Sequence, residues 1–192
     1  MDGVTFAPPP KTAAWRHLDA QTGFEVVYFR PLGDWYHIEG CTTGVEEGRT
    51  WIVGYAIDVD PGWVTRRAEI TGQSVDGSRR TTLEGDGDGH WRVDGVPAPH
   101  LDGCFDVDLE SSAMTNAFPV HRMRLAVGAG SDAPAAYVRS LDLAVERLEQ
   151  HYARVGGESY DYLSTGDGFS AQLVYDESGF VMDYPGIAVR AL

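Results

Sequence analysis

The sequence predicts an all-β, mainly antiparallel fold: a highly curved many-stranded sheet or a partly closed barrel, with little helix. Three observations carry that prediction. Apolar residues alternate with polar or small ones in several short runs, the pattern of a strand with one buried face. Turn pairs rich in Gly and Asp separate the runs, and strands joined by short turns must pair antiparallel. The chain has 192 residues, enough for one β domain with a real core.

Residues 1–12, with Pro8, Pro9 and Pro10, read as an extended lead-in, and 13–192 as a single β domain. In 51–59 one face carries Trp51, Val53, Tyr55, Ile57 and Val59; the other carries Ile52, Gly54, Ala56 and Asp58. Asp60-Pro61-Gly62 ends that run. Asp76-Gly77, between 64–75 and 78–84, is the clearest hairpin signal. Asp94-Gly95, Asp102-Gly103, Gly156-Gly157, Gly166-Asp167-Gly168 and Ser178-Gly179 mark further turns. In 104–110, Phe105, Val107 and Leu109 face one way and Asp106, Asp108 and Glu110 the other. Phe169, Ala171, Leu173 and Tyr175 share a face, as do Phe180, Met182 and Tyr184. The stretch 135–155 has two readings. Leu141, Val145, Leu148 and Tyr152 fall at helical spacing with no Gly or Pro nearby; the same residues also fit two strands around a turn.

The net charge of −14 and the single lysine, Lys11, argue against a nucleic-acid partner. The arginines are scattered, with short pairs at Arg66/Arg67 and Arg79/Arg80. Anionic membrane surfaces would repel such a chain. Met1 to Pro10 lacks a basic region followed by an apolar stretch, and no apolar run is long enough to span a membrane, so a cytoplasmic protein is expected. Cys41 and Cys104 fit neither zinc spacing nor a CxxC pair and read as small buried thiols.

Candidate chemistry is sparse. Glu84 to Gly89 resembles the start of an EF-hand loop, with Asp86, Asp88 and Gly89 at the right spacing. Gly95 stands where the closing Glu belongs. Asp106 and Asp108 project from one strand face, and paired carboxylates serve glycoside hydrolysis or hold a metal; Asp58 and Asp60 repeat the spacing. The plainer reading of both pairs is a solvated face or Asx turns. Histidines form no HxH or HExxH pattern, and GxSxG and GxxxxGK[ST] are absent. No metal, cofactor or catalytic residue is therefore expected. Five tryptophans and nine tyrosines remain; they suit a pleated core or an apolar cleft with polar tips at its mouth.

Leu101 to Glu110, then Thr115-Asn116 and Pro119 to Met123, resemble the bacterial family called Putative glycolipid-binding, formerly a domain of unknown function. Tyr55 to Asp60 leading to Trp63-Val64-Thr65-Arg66 is similar to its first-half signature. Its C-terminal block is matched by Gln150-His151-Tyr152, Tyr160-Asp161-Tyr162, Phe169, Asp176, Gly179 and Asp183 to Gly186. Two departures stand out: Ser112-Ala113-Met114 where relatives commonly read Thr-Pro-Phe, and His121 where they read Arg. The resemblance implies a highly curved, partly closed sheet like those of bacterial lipoprotein carriers. It favours strand, turn, strand across 135–155, with at most one helical turn in 145–150.

Together these readings point to a lipid or glycolipid-like amphiphile bound without catalysis in a sheet-lined apolar cleft. The ligand-binding candidates are Trp51, Tyr55, Trp63, Asp106, Asp108, Asn116, Arg122, Tyr160, Tyr162 and Tyr184. One expected aromatic face would unite Trp51, Tyr55, Phe169, Leu173, Tyr175, Met182 and Tyr184. Two alternatives are a protein-interaction module without a small ligand and a hydrolase of sugar- or lipid-linked substrates using Asp106 and Asp108. A deep apolar cleft would favour the binder, a raised carboxylate pKa in a pocket the enzyme, and a flat surface the interaction module.

Overall fold

The computed structural model describes residues 5–18, 22–166 and 168–191. Asp167, at the centre of one predicted turn, and the first four residues of the lead-in lie outside them. Strand accounts for 57% of the chain and helix for 7%, so the predicted class holds.

The first meander comprises β1 (Thr12–His17), β2 (Thr22–Leu32), β3 (Trp35–Glu46), β4 (Arg49–Val59), β5 (Thr65–Ser74), β6 (Gly77–Gly85), β7 (Trp91–Val93) and β8 (Val96–Pro97). An excursion follows: β9 (Asp106–Leu109), helix α1 (Ala117–Met123), β10 (Gly130–Asp132), β11 (Ala135–Val138) and β12 (Val145–Leu148). A second meander closes the chain: β13 (Gln150–Arg154), β14 (Ser159–Ser164), β15 (Ser170–Tyr175), β16 (Val181–Tyr184) and β17 (Ala188–Ala191). The two meanders join where β17 pairs with β1. The result is one antiparallel sheet of fourteen strands ordered β10-β13-β14-β15-β16-β17-β1-β2-β3-β4-β5-β6-β7-β8.

The alternation read from the sequence is the burial pattern of β4: Trp51, Val53, Tyr55, Ile57 and Val59 are all buried. Two of these rings lie over glycines of the neighbouring strand. Gly40 pairs with Tyr55 and Gly44 with Trp51, and a Cβ at either glycine would overlap the facing ring. Aromatic side chains thereby cover the bare backbone of a curving sheet. The hairpin at Asp76-Gly77 forms as predicted, with Ser74 opposite Gly77 and Gly77 at φ 107°.

The stretch 135–155 is strand, turn and strand, with β11 and β12 on either side of a turn at 139–144 and β13 following. Helical spacing there is overridden by pairing: β11 lies antiparallel to β12, and β13 to β14. β9, β11 and β12 form a second, three-stranded sheet in which β9 and β11 run parallel. That parallel pair departs from the expected antiparallel rule. The 25-residue connection from 110 to 134 carries α1 and is long enough for a crossover.

The excursion covers the inner face of the large sheet. Leu101, Val107, Leu109, Met114 and Phe118 are buried among Trp15, Ile38, Tyr55 and Ile57. The cleft expected over Trp51 and Tyr55 is thus occupied by the chain's own side chains, as small barrels commonly fill their interiors. A smaller cluster gathers Tyr152, Tyr160, Tyr162, Leu173, Tyr175, Val181 and Tyr184 with Val120 of α1. The single aromatic face expected from the sequence is therefore two, because β4 and β16 stand five places apart in the sheet order. Met182 belongs to neither cluster, since a register shift at Val174/Tyr175 displaces β16.

Candidate functional site

Strand β9 is the partition between the two clusters. Val107 and Leu109 face the larger apolar one, with Ala136 and Val138 beside them on β11. Asp106 and Asp108 face the other way, as period two requires, yet they are buried at 1% and 8% exposure. The expectation of a solvated acidic face is corrected here: period two says which residues share a face, and the rest of the fold decides whether water reaches it.

Each carboxylate has its own partner. Arg122 of α1 grips Asp106 with two nitrogens, Nη2 at 2.6 Å and Nε at 3.1 Å, a fork geometry that holds both groups. The guanidinium also lies 5.3 Å from the Phe105 ring centroid. Burial raises the Asp106 pKa while Arg122 opposes the rise. Asp108 accepts a bond from Thr115 Oγ1 at 2.8 Å. Among the described residues no cation is bonded to it; burial pushes its pKa up to about 6, and the charges of Asp106 and Glu110 add to the rise.

Tyrosines surround Asp108. Tyr152 donates to Asn116 Oδ1 at 2.9 Å, and Tyr175 donates to the Asn116 carbonyl at 3.2 Å. Tyr152 and Tyr162 meet edge to face with centroids 5.1 Å apart, and Tyr162 meets Tyr184 at 6.0 Å. Burial raises the hydroxyls of Tyr152, Tyr175 and Tyr184, and the Asp108 charge contributes to all three. Gln150 and Asn116 are buried in the same region. This half of the interior is rich in polar tips, whereas the β1–β7 half is mostly apolar, with Glu25 and His17 among its buried titratable groups. Phe169, Met123, Leu125 and Ile187 border it, partly buried. Tyr160 sits at its far side against Tyr175, at 5.1 Å.

The remaining candidates lie elsewhere. Tyr55 donates at 2.6 Å to Glu25, a fully buried carboxylate that also accepts from Ser112 Oγ and, at 2.9 Å, from the Ala113 amide. His17 Nε2 stands 3.5 Å from it. Sequence reasoning missed Glu25, whose only signal is a charged residue on the inward side of a strand. The loop that departs from the family pattern, Ser112-Ala113-Met114, is the one that receives this carboxylate. Trp63 stacks on His121 at 3.7 Å, and burial lowers the His121 pKa to about 4. Trp63 itself takes φ 62°, an uncommon conformation for a bulky residue, in a turn capped by Asp60 Oδ1 through the amides of Gly62 and Val64. Trp51 is buried in the larger cluster.

The other sequence signals resolve into local structure. Asp58 pairs with His37 Nδ1 at 2.6 Å. Asp86 caps the amides of Asp88 and His90 and bonds the His90 ring at 2.9 Å, as an Asx turn does. Among the described residues no three His, Cys, Asp or Glu side chains gather in a metal-binding group. Cys104 is buried and Cys41 exposed, both free; the expectation of two buried thiols fails at Cys41 because β3 turns it to the outer face. No helix among the described residues is long and apolar enough to cross a membrane.

The protein resembles a solved structure over its entire length. A crystal structure of a DUF1089 family protein from Pseudomonas aeruginosa is 30% identical, with a TM-score of 0.77 over 100% of this chain and 97% of that one. No curated protein matches. The family model described as Putative glycolipid-binding matches residues 12–190, a span that takes in both meanders and the excursion between them, and the chain therefore belongs to the Putative glycolipid-binding family.

Proposed function

We propose that the protein is a non-catalytic binder of a glycolipid-like amphiphile, with the tyrosine-lined half of the interior as the site for its polar end. The observation that carries this reading is the buried cluster of Asp108, Asn116 and four tyrosines, Tyr152, Tyr162, Tyr175 and Tyr184. A core needs no such groups, and holding a carboxyl there costs stability. Hydroxyl and carboxyl tips against ring faces are what a polyhydroxy headgroup requires, and the bordering apolar side chains suit acyl carbons. The family description supports the same ligand class. Entry requires α1 and β9 to move away from the second meander. A cytoplasmic site of action belongs to this reading, supported by two free thiols.

Thermal shift with dodecyl maltoside tests it, with a sugarless dodecyl detergent as control. Stabilisation by the maltoside beyond the control, lost in a folded Tyr184→Phe protein, is the expected result. No shift with either detergent would move the reading to a protein-interaction module. The raised pKa of Asp108 favours a second reading, a general acid of a glycoside hydrolase. Its weakness is Asp106, which Arg122 holds on both oxygens, leaving no free second carboxylate. Turnover of nitrophenyl glycosides abolished by Asp108→Asn would establish that reading instead.

A further inference from the structure

On the first meander's side of the excursion, a groove of about 470 Å³ runs between β6, β7 and the turn joining β11 to β12. A second depression of about 280 Å³ adjoins it, and Arg79 and Asp142 line both. The larger volume lies within the range of about 300–1,000 Å³ typical of small-molecule sites. Its floor is aliphatic, with Leu143, Val93 and Val145. We infer that this groove is a binding site for a neutral saccharide, either free or as the headgroup of a glycolipid.

Thr82 N donates to Asp94 at 2.8 Å, and Ala144 N donates to Asp142 at 2.9 Å. These bonds hold two carboxylates at the groove, and Thr81 Oγ1 lies 3.4 Å from both Asp94 oxygens as a further polar group beside them. Arg80 is held by Glu69 at 2.7 Å. Among the described residues no ion pair or side-chain hydrogen bond engages Arg79 or His100, so their donors are open to a guest. A vicinal diol both donates and accepts, and a carboxylate beside a guanidinium answers it on both counts.

The charge balance points to a neutral ligand. Arg49 in the adjoining depression pairs with Asp76, and Arg139 with Glu146 at 3.8 Å, and across both depressions carboxylates slightly outnumber arginines. An anion would meet those carboxylates and the field of a chain at −14. The turn is also built with strain. Leu143 takes φ 58°, rare for leucine, and in that conformation its side chain reaches the bare face of Gly72. Ser140 N bonds Glu110 at 2.7 Å and Arg139 N bonds the Ala144 carbonyl at 3.0 Å. The loop is thereby held in the shape that forms the floor.

The free-saccharide form of the inference stands without the amphiphile reading; the lipid-linked form keeps that reading's ligand class but seats the headgroup here instead of in the tyrosine-lined half. The test is amide chemical-shift mapping by nuclear magnetic resonance with maltotriose and, separately, dodecyl maltoside below its micelle concentration. Expected are saturable shifts at 79–81, 93–94, 100 and 140–145 with at least one probe, weakened at least roughly tenfold in Arg79→Ala. Arg16→Ala, at an exposed arginine on β1, should leave them unchanged. The melting temperature of Arg79→Ala should equal that of the parent, since the side chain makes no bond to lose. Shifts with maltotriose alone identify a free sugar; shifts with the maltoside alone identify a lipid headgroup. Groove shifts that survive Tyr184→Phe, with thermal stabilisation by the maltoside absent, would keep the groove and sink the amphiphile reading. No shift with either probe up to its solubility, or shifts indifferent to Arg79→Ala, would overturn the inference.

Discussion

Asp108→Asn should change how stability depends on pH, by an amount the structure sets. The carboxyl is buried, accepts from Thr115 at 2.8 Å, and has its pKa raised from 3.8 to about 6, chiefly by burial. A raised pKa means that the folded protein holds this proton more tightly than the unfolded chain does. The group's contribution is therefore fully present below about pH 4 and is lost as pH rises through about 6. The full span of about two pH units corresponds to about 3 kcal/mol. Between about pH 7.5 and about pH 5 the parent should gain about 1.4 kcal/mol from this one group, because protonation is then mostly complete in the folded state alone. Asparagine keeps an acceptor for Thr115 and has no proton to gain. Urea unfolding of both proteins across that range gives the difference directly, since titrations common to both cancel. The Asn protein should fare best, relative to the parent, near pH 7.5, and its advantage should shrink by about 1.4 kcal/mol on acidification. Parallel stability curves, with a pH-independent difference, would refute a burial-raised carboxyl at this position.

Two further outcomes follow from packing. Gly40→Ala places a methyl where the Tyr55 ring lies; overpacking costs about 1–3 kcal/mol, and displacing Tyr55 would also weaken its bond to buried Glu25, so the urea midpoint should fall clearly, and an unchanged midpoint would contradict the ring's position. A thiol reagent should label Cys41 in the native protein and Cys104 only on unfolding, because Cys104 is buried and its thiol pushed up to about 11; two native labels counted by mass spectrometry would disprove this.

The legibility of the fold was uneven for physical reasons. Period two in 51–59 and turn chemistry at Asp76-Gly77 are local signals, and both gave the right strands. The same period placed Asp106 and Asp108 on one face correctly but misjudged that face as wet. What covers it is a set of tyrosines from 152 to 184, and no local pattern announces a contact across that separation. Leu141, Val145, Leu148 and Tyr152 showed the opposite failure: a true local preference for helix overridden by strand partners. The family resemblance, which carries long-range information, read that stretch correctly. The Arg79/Arg80 pair was visible as a pair, but its groove depends on the turn at 139–145, sixty residues away.

The division of the interior explains why one fold can hold both kinds of chemistry. The apolar half, from Trp15 to Leu83, is packed tightly enough that rings sit over glycine backbone. Core packing of that kind supplies most of a domain's stability. The fold can then carry costly buried carboxyls, Asp108 in the tyrosine half and Glu25 beside Tyr55 in the other, without unfolding the whole. Helix α1 is shared by the two, with Phe118 buried in the first and Val120 in the second. A shift of α1 that uncovers Tyr162 and Tyr184 must therefore also loosen Phe118 and the Trp63–His121 stack. Any opening of the polar half would thus be coupled to the edge of the apolar core, and the Asp106–Arg122 pair, which ties α1 to β9, would make those two elements move as one.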